Sequence, residues 1–162
     1  MMWLSAAALL VLSPAAGLAE EPYETAGRKF WKGLAEADFA VMEAGYAPEV
    51  TLLAGSELLK KQWGINPSGD RSKNLAVKRE VLLKGYHSLL DGRTEKWKEI
   101  MSKIGKDKIT FQTVDKDDKP IPGVRTGDVL MKVATGPGDD VLAFILRRSD
   151  KEWLVAMEAT DY

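Results

Sequence analysis

The groups through which this 162-residue chain could do acid–base chemistry are few: one histidine, His87, and a set of carboxylates. An imidazole titrates near neutral pH and suits a general base when a carboxylate tunes it. On a helix His87 lines up with Leu83 and Leu90 and flanks an apolar strip, a place that equally suits a hydrogen-bonded histidine at a helix edge. Asp38 would serve as a base if it faced a cavity. It also stands just before a helical turn, where a carboxylate caps free backbone N–H groups. Glu49 and Glu158 are the other carboxylates that would matter inside a cavity. Tyr46, Trp63 and Tyr86 each offer a ring and a polar handle, so they are candidate ligand-lining residues. Arg147 and Arg148 are neighbours on a strand and point to opposite faces. One reaches water; the other, taken as Arg147, meets a carboxylate such as Glu158 or holds an anion in a cavity.

Other chemistries are closed off by composition. There is no cysteine, which removes disulfides, zinc–thiolate sites, iron–sulfur clusters and a thiol nucleophile. A lone histidine cannot build a multi-histidine metal site. Asp115-Lys116-Asp117-Asp118 starts like a calcium loop, but Lys119 and Pro120 stand where an oxygen ligand and a glycine are required. Gly136-Pro137-Gly138 leads into a strand, not a helix, and is a poor phosphate cradle. No metal and no cofactor are therefore expected. Lys and Arg number 23 against 24 Asp and Glu, so the formal charge of −1 gives no basic excess with which to bind nucleic acid.

Residues 1–19, MMWLSAAALLVLSPAAGLA, carry no charged side chain and end in small residues. This reads as a secretory signal cut after Ala19, although its start offers only the free amino terminus as positive charge. The apolar stretch is too short to span a bilayer, which takes about 20 residues. A secreted or periplasmic domain over residues 20–162 is expected, with no membrane span after cleavage.

The elements that must position the candidates follow from periodicity. Ala26, Phe30 and Leu34 recur at helical spacing over 22–36, with Pro22 in the first turn. Asp38 precedes a short helix, 39–45, closed by Gly45 and Pro48. Val50 to Ala54 is a short strand. Ser56 caps a turn bearing Leu58, Leu59 and Trp63, and 66–70 is loop chemistry. A second long helix is expected over 74–90. Thr94 caps a third, whose Trp97, Ile100, Met101 and Ile104 form one apolar face. From Lys108 the period becomes two. Strands are expected at 109–114, 127–134, 141–148 and 153–160, with Val129, Met131 and Val133 on one face. Val141–Arg148 is apolar enough to be covered on both faces. Helices first and an antiparallel meander last make an α+β fold.

Two stretches resemble the NTF2-like superfamily, which includes ketosteroid-isomerase-like and SnoaL-like proteins. Ala37-Asp38-Phe39 and Tyr46-Ala47-Pro48-Glu49-Val50 are similar to its short second helix and first strand. Residues 140–158, with Asp150-Lys151-Glu152-Trp153 at the turn, are similar to its last hairpin. The resemblance implies a cone in which a curved antiparallel sheet wraps the N-terminal helices and leaves a pocket at the open end. It also implies frequent dimers through the outer sheet face. The stretch 56–93 is longer than that plan.

Three functions fit these expectations. The first is an exported domain that binds a small apolar molecule or a protein partner without catalysis. The second is an isomerase or hydro-lyase using a cavity carboxylate or His87. The third is an assembly domain that forms a homodimer through a sheet face carrying Met131, Val133, Phe144 or Met157.

Overall fold

A computed structural model describes residues 19–65, 73–118, 120–136 and 141–159. Helix α1 spans Pro22–Ala35; the backbone N–H of Glu21 donates to the Glu24 carboxylate at 3.3 Å and Pro22 opens the first turn. Asp38 caps α2 (Phe39–Gly45): its Oδ1 accepts from the Val41 N–H at 3.1 Å. Strand β1 (Tyr46–Leu52) follows, then α3 (Glu57–Trp63), capped by Ser56 Oγ and stopped at Gly64 in the left-handed region. Strand β2 (Leu75–Lys78) leads directly into α4 (Arg79–Leu90), and α5 spans Thr94–Ser102. A single 3₁₀ turn, Lys106–Lys108, precedes β3 (Ile109–Thr113), β4 (Val129–Ala134), β5 (Val141–Ser149) and β6 (Glu152–Ala159).

The expected helix over 74–90 is thus a strand and a helix. Leu75, Ala76 and Val77 fit a helical window, but Val77 pairs with Val50 and Leu75 with Leu52, so backbone bonds to β1 decide the conformation. Thr94 is also not a cap. It begins α5, and its hydroxyl donates back to the Leu90 carbonyl at 3.1 Å.

The six strands form one sheet in the order β2-β1-β6-β5-β4-β3. Every pair is antiparallel except β1–β6, so the sheet is mixed rather than the simple meander expected. The α+β class, with helices packed on a curved sheet, matches the layout that the resemblance implied.

Alternation sends side chains to two cores. The inner face, carrying Tyr46, Val50, Val129, Met131, Val133, Phe144 and Leu146, packs on Phe30, Trp31 and Leu34 of α1. Burying each of the large apolar side chains contributes about 1.5–3 kcal/mol. The outer face, with Leu130, Ala143, Ile145 and Met157, is covered by Leu59 and Trp63 of α3 and by Val114 and Ile121 before β4. Asn74 fastens this cover: its side chain accepts from the Ala54 N–H at 2.9 Å and donates to the Pro122 carbonyl at 3.0 Å. Strand β5 is therefore covered on both sides, as its composition requires. Met131, Val133, Phe144 and Met157 are at most 1% exposed, so they belong to the chain's own cores and form no free dimerisation face.

Candidate functional site

The polar centre of the inner core is a carboxylate between two tyrosines. Glu158 is fully buried on β6 and accepts from the Tyr46 hydroxyl at 2.7 Å. The Tyr46 and Tyr86 hydroxyls lie 3.4 Å apart. Three elements bring these groups together: the first residue of β1, the middle of α4 and the end of β6. The Tyr46 ring is fixed edge-on against Phe30, with centroids 4.8 Å apart. Arg79 holds the start of α4 to the α2–β1 junction, donating to the carbonyls of Glu43 and Tyr46 at 3.2 and 3.3 Å.

A bulge aims Glu158 inward. Leu146 pairs with Val155 and Ile145 with Met157, so Ala156 is an extra residue in β6. Val155 lies in the inner core, Ala156 and Met157 in the outer one, and Glu158 returns to the inner side opposite Phe144. Without the extra residue, period two from Val155 would turn Glu158 outward.

Tyr86 also lines a cavity of about 460 Å³ between α4 and the β1–β2 pair, walled by Leu52, Val77, Val81, Leu82 and Leu89. Val81 and Leu89 leave 59% and 37% of their surface in water at its rim, unusual exposure for aliphatic side chains beside a concave wall. A second cavity, about 630 Å³, lies between α1 and α5 on a floor that includes Trp31, Met101 and Ile109.

The remaining candidates are dispersed. Asp38 is exposed and works as the α2 cap. His87 is exposed on α4 and stacks on Phe39, with centroids 3.5 Å apart and planes at 15°, which ties α4 to α2. Glu49 is exposed on β1. Trp63 is 4% exposed but sits in the outer core, on the other side of the sheet from Tyr46 and Phe30. Tyr46 lies inside the inner core, behind Tyr86.

Arg147 meets the carboxylate of Asp128, not that of Glu158. Its Nε and Nη2 donate to Asp128 Oδ1 and Oδ2 at 2.9 and 2.6 Å, and Nη2 also reaches the Gly123 carbonyl at 2.8 Å. Asp128 is 3% exposed and also accepts from the Arg125 N–H at 2.9 Å. The bidentate pair pins the covering segment beside the sheet. Asp128 carries no sequence signal beyond following Gly127. Exposed Arg148 donates to the Asp150 carbonyl at 3.3 Å.

No family model matches the chain, and no curated protein matches it. Among solved structures it is similar to a designed NTF2 protein, at 14% identity and a TM-score of 0.36, over 81% of this chain and 89% of that one. It is also similar to a protein from Xanthomonas campestris described as a calcium/calmodulin dependent protein kinase II association domain. That likeness covers 99% of this chain and 96% of the other, at 15% identity and a TM-score of 0.35.

Proposed function

We propose that this chain is an exported binding domain of NTF2-like layout, which takes a small apolar molecule into the cavity between α4 and the β1–β2 pair. The supporting observation is the character of that cavity's wall. Five of its eight lining residues are aliphatic, and Tyr86 and Ser88 are its polar groups. Its size lies within the ~300–1,000 Å³ of small-molecule sites, which combine apolar walls with a few polar groups. Gly85 lines the same cavity, and a Cβ built there meets no atom within 4 Å. Gly85→Leu therefore adds an apolar side chain at the cavity wall whose Cβ meets no neighbour. Native mass spectrometry of the protein purified from its own cells should show a retained small molecule. The neutral dye N-phenyl-1-naphthylamine should bind, and Gly85→Leu should weaken it. No retained molecule, with dye binding unchanged by Gly85→Leu, would refute the reading.

Export belongs to the same proposal. The protein recovered from outside the cytoplasm should begin at Glu20; a chain beginning at Met1 would contradict it.

The buried Glu158–Tyr46 bond favours a second reading, an isomerase or hydro-lyase that moves a proton through Glu158. Of the four groups considered for this role, Asp38, His87 and Glu49 are exposed and Glu158 alone is inside. With the captured molecule in D₂O, the wild type would then incorporate deuterium and Glu158→Gln would not. Equal incorporation in both removes this reading.

A further inference from the structure

We propose that the groove between α1 and α5 is a separate binding site for a single long-chain carboxylate. Its floor is apolar and buried: Trp31, Met101 and Ile109 are each less than a tenth exposed, and Ile104 lies beside them. An alkyl chain laid on this floor leaves water along its length, which supplies the non-directional part of the affinity.

The rim supplies the directional part. Five cations, Arg28, Lys29, Lys32, Lys98 and Lys106, surround the groove, against the two carboxylates of Glu20 and Glu36. Both carboxylates are already engaged. Glu20 accepts from Arg28 Nε at 2.7 Å, and Glu36 lies 3.9 Å from Lys32. Lys98 leans to Glu95 at 3.5 Å, outside the groove. Lys29 and Lys106 have no ion-pair partner among the described residues. They are the ammonium groups left to meet an anionic head, one on α1 and one at the 3₁₀ turn. Arg28 is already engaged: besides Glu20, it donates to the Lys106 carbonyl at 3.3 Å and lies over the Phe111 ring at 5.4 Å. An aliphatic tail with one small anionic end matches this arrangement. A bilayer surface does not, because two carboxylates interrupt the basic rim and the chain as a whole carries −1.

The probe is dodecanoate, titrated calorimetrically into the purified protein, with dodecyltrimethylammonium as a cation of equal tail length. Dodecanoate should saturate at one per chain and bind at least about tenfold more tightly than the cation, the scale expected of two exposed charge pairs. Lys29→Glu combined with Lys106→Glu should abolish that preference, and the single variants Lys29→Gln and Lys106→Gln should each weaken dodecanoate if the double variant fails to fold. Gly85→Leu should leave dodecanoate binding unchanged, which separates this site from the α4 cavity. Equal affinity for both amphiphiles, or a preference unmoved by the lysine variants, would overturn the proposal. So would binding to phosphatidylserine vesicles without saturable dodecanoate binding.

Discussion

The Tyr46 hydroxyl and the Glu158 carboxylate, 112 residues apart in the chain, meet at 2.7 Å in the inner core. A carboxylate there is costly unless hydrogen-bonded, and this bond from β1 to β6 supplies part of what water would otherwise give. The two strands run parallel, and their register is irregular between Tyr46 and Thr51, so the contact depends on distortions in both.

Tyr46→Phe keeps the ring against Phe30 and removes the donor to Glu158 together with the hydroxyl contact to Tyr86. It should lower stability by about 1–3 kcal/mol, the cost of a buried acceptor deprived of a partner. Tyr86→Phe, whose hydroxyl stands 3.4 Å from that of Tyr46, should cost less. Urea denaturation of the two variants checks this order, and a larger loss for Tyr86→Phe would show that the carboxylate depends mainly on another group.

Asp128→Ala removes every acceptor that Arg147 finds on that residue and leaves the Arg125 N–H short of a partner. Breaking one side of a largely buried pair costs about 3 kcal/mol, the low end of the usual range, since Arg147 keeps some access to water. Asp128→Asn retains acceptor capacity and should lose less. Thermal melting separates the two. An equal, small loss would mean that the pair does not hold the cover on the outer face.

Asp38→Ala should cost about 1 kcal/mol through the lost cap of α2, with cavity binding unchanged. Preserved melting with lost binding would instead assign Asp38 to the site.

What could be read from the chain alone follows the range of the forces involved. Helices α1, α2 and α3 are set by local spacing and by caps at Asp38 and Ser56, and these are visible in sequence. Strand β2 is not, because four residues on a sheet edge take their conformation from β1. The same holds for Ile100. It completes a helical stripe with Trp97, Met101 and Ile104, yet it is 46% exposed, because the α1 surface reaches only part of that stripe. Glu158 and Met157 exchange faces through one bulged residue, Ala156, which leaves no mark in period-two patterning. The position of Tyr86 beside a cavity was legible from its residue type and helix. The core position of Tyr46, the outer-face position of Trp63 and the Arg147–Asp128 pair depend on chain crossings that composition does not encode.

Two helical glycines should respond to alanine in opposite directions. A Cβ at Gly27 in α1 would lie 2.6 Å from Phe111 Cε1, 2.9 Å from Met131 Sδ and 3.1 Å from Leu146 Cδ1. Met131 and Leu146 are at most 1% exposed and have little room to withdraw, while the Phe111 ring is half-buried. Alanine would gain about 1 kcal/mol of helix propensity and lose about 1–3 kcal/mol to overpacking, so Gly27→Ala should be destabilising on balance. At Gly85 in α4 the added Cβ meets nothing within 4 Å, so the propensity gain stands unopposed and Gly85→Ala should raise stability by up to about 1 kcal/mol. Chemical denaturation of both variants decides the matter. A stabilised Gly27→Ala would mean that the sheet can lift from α1, and with it the claim that α1 and the curved sheet form one tightly packed core would fail.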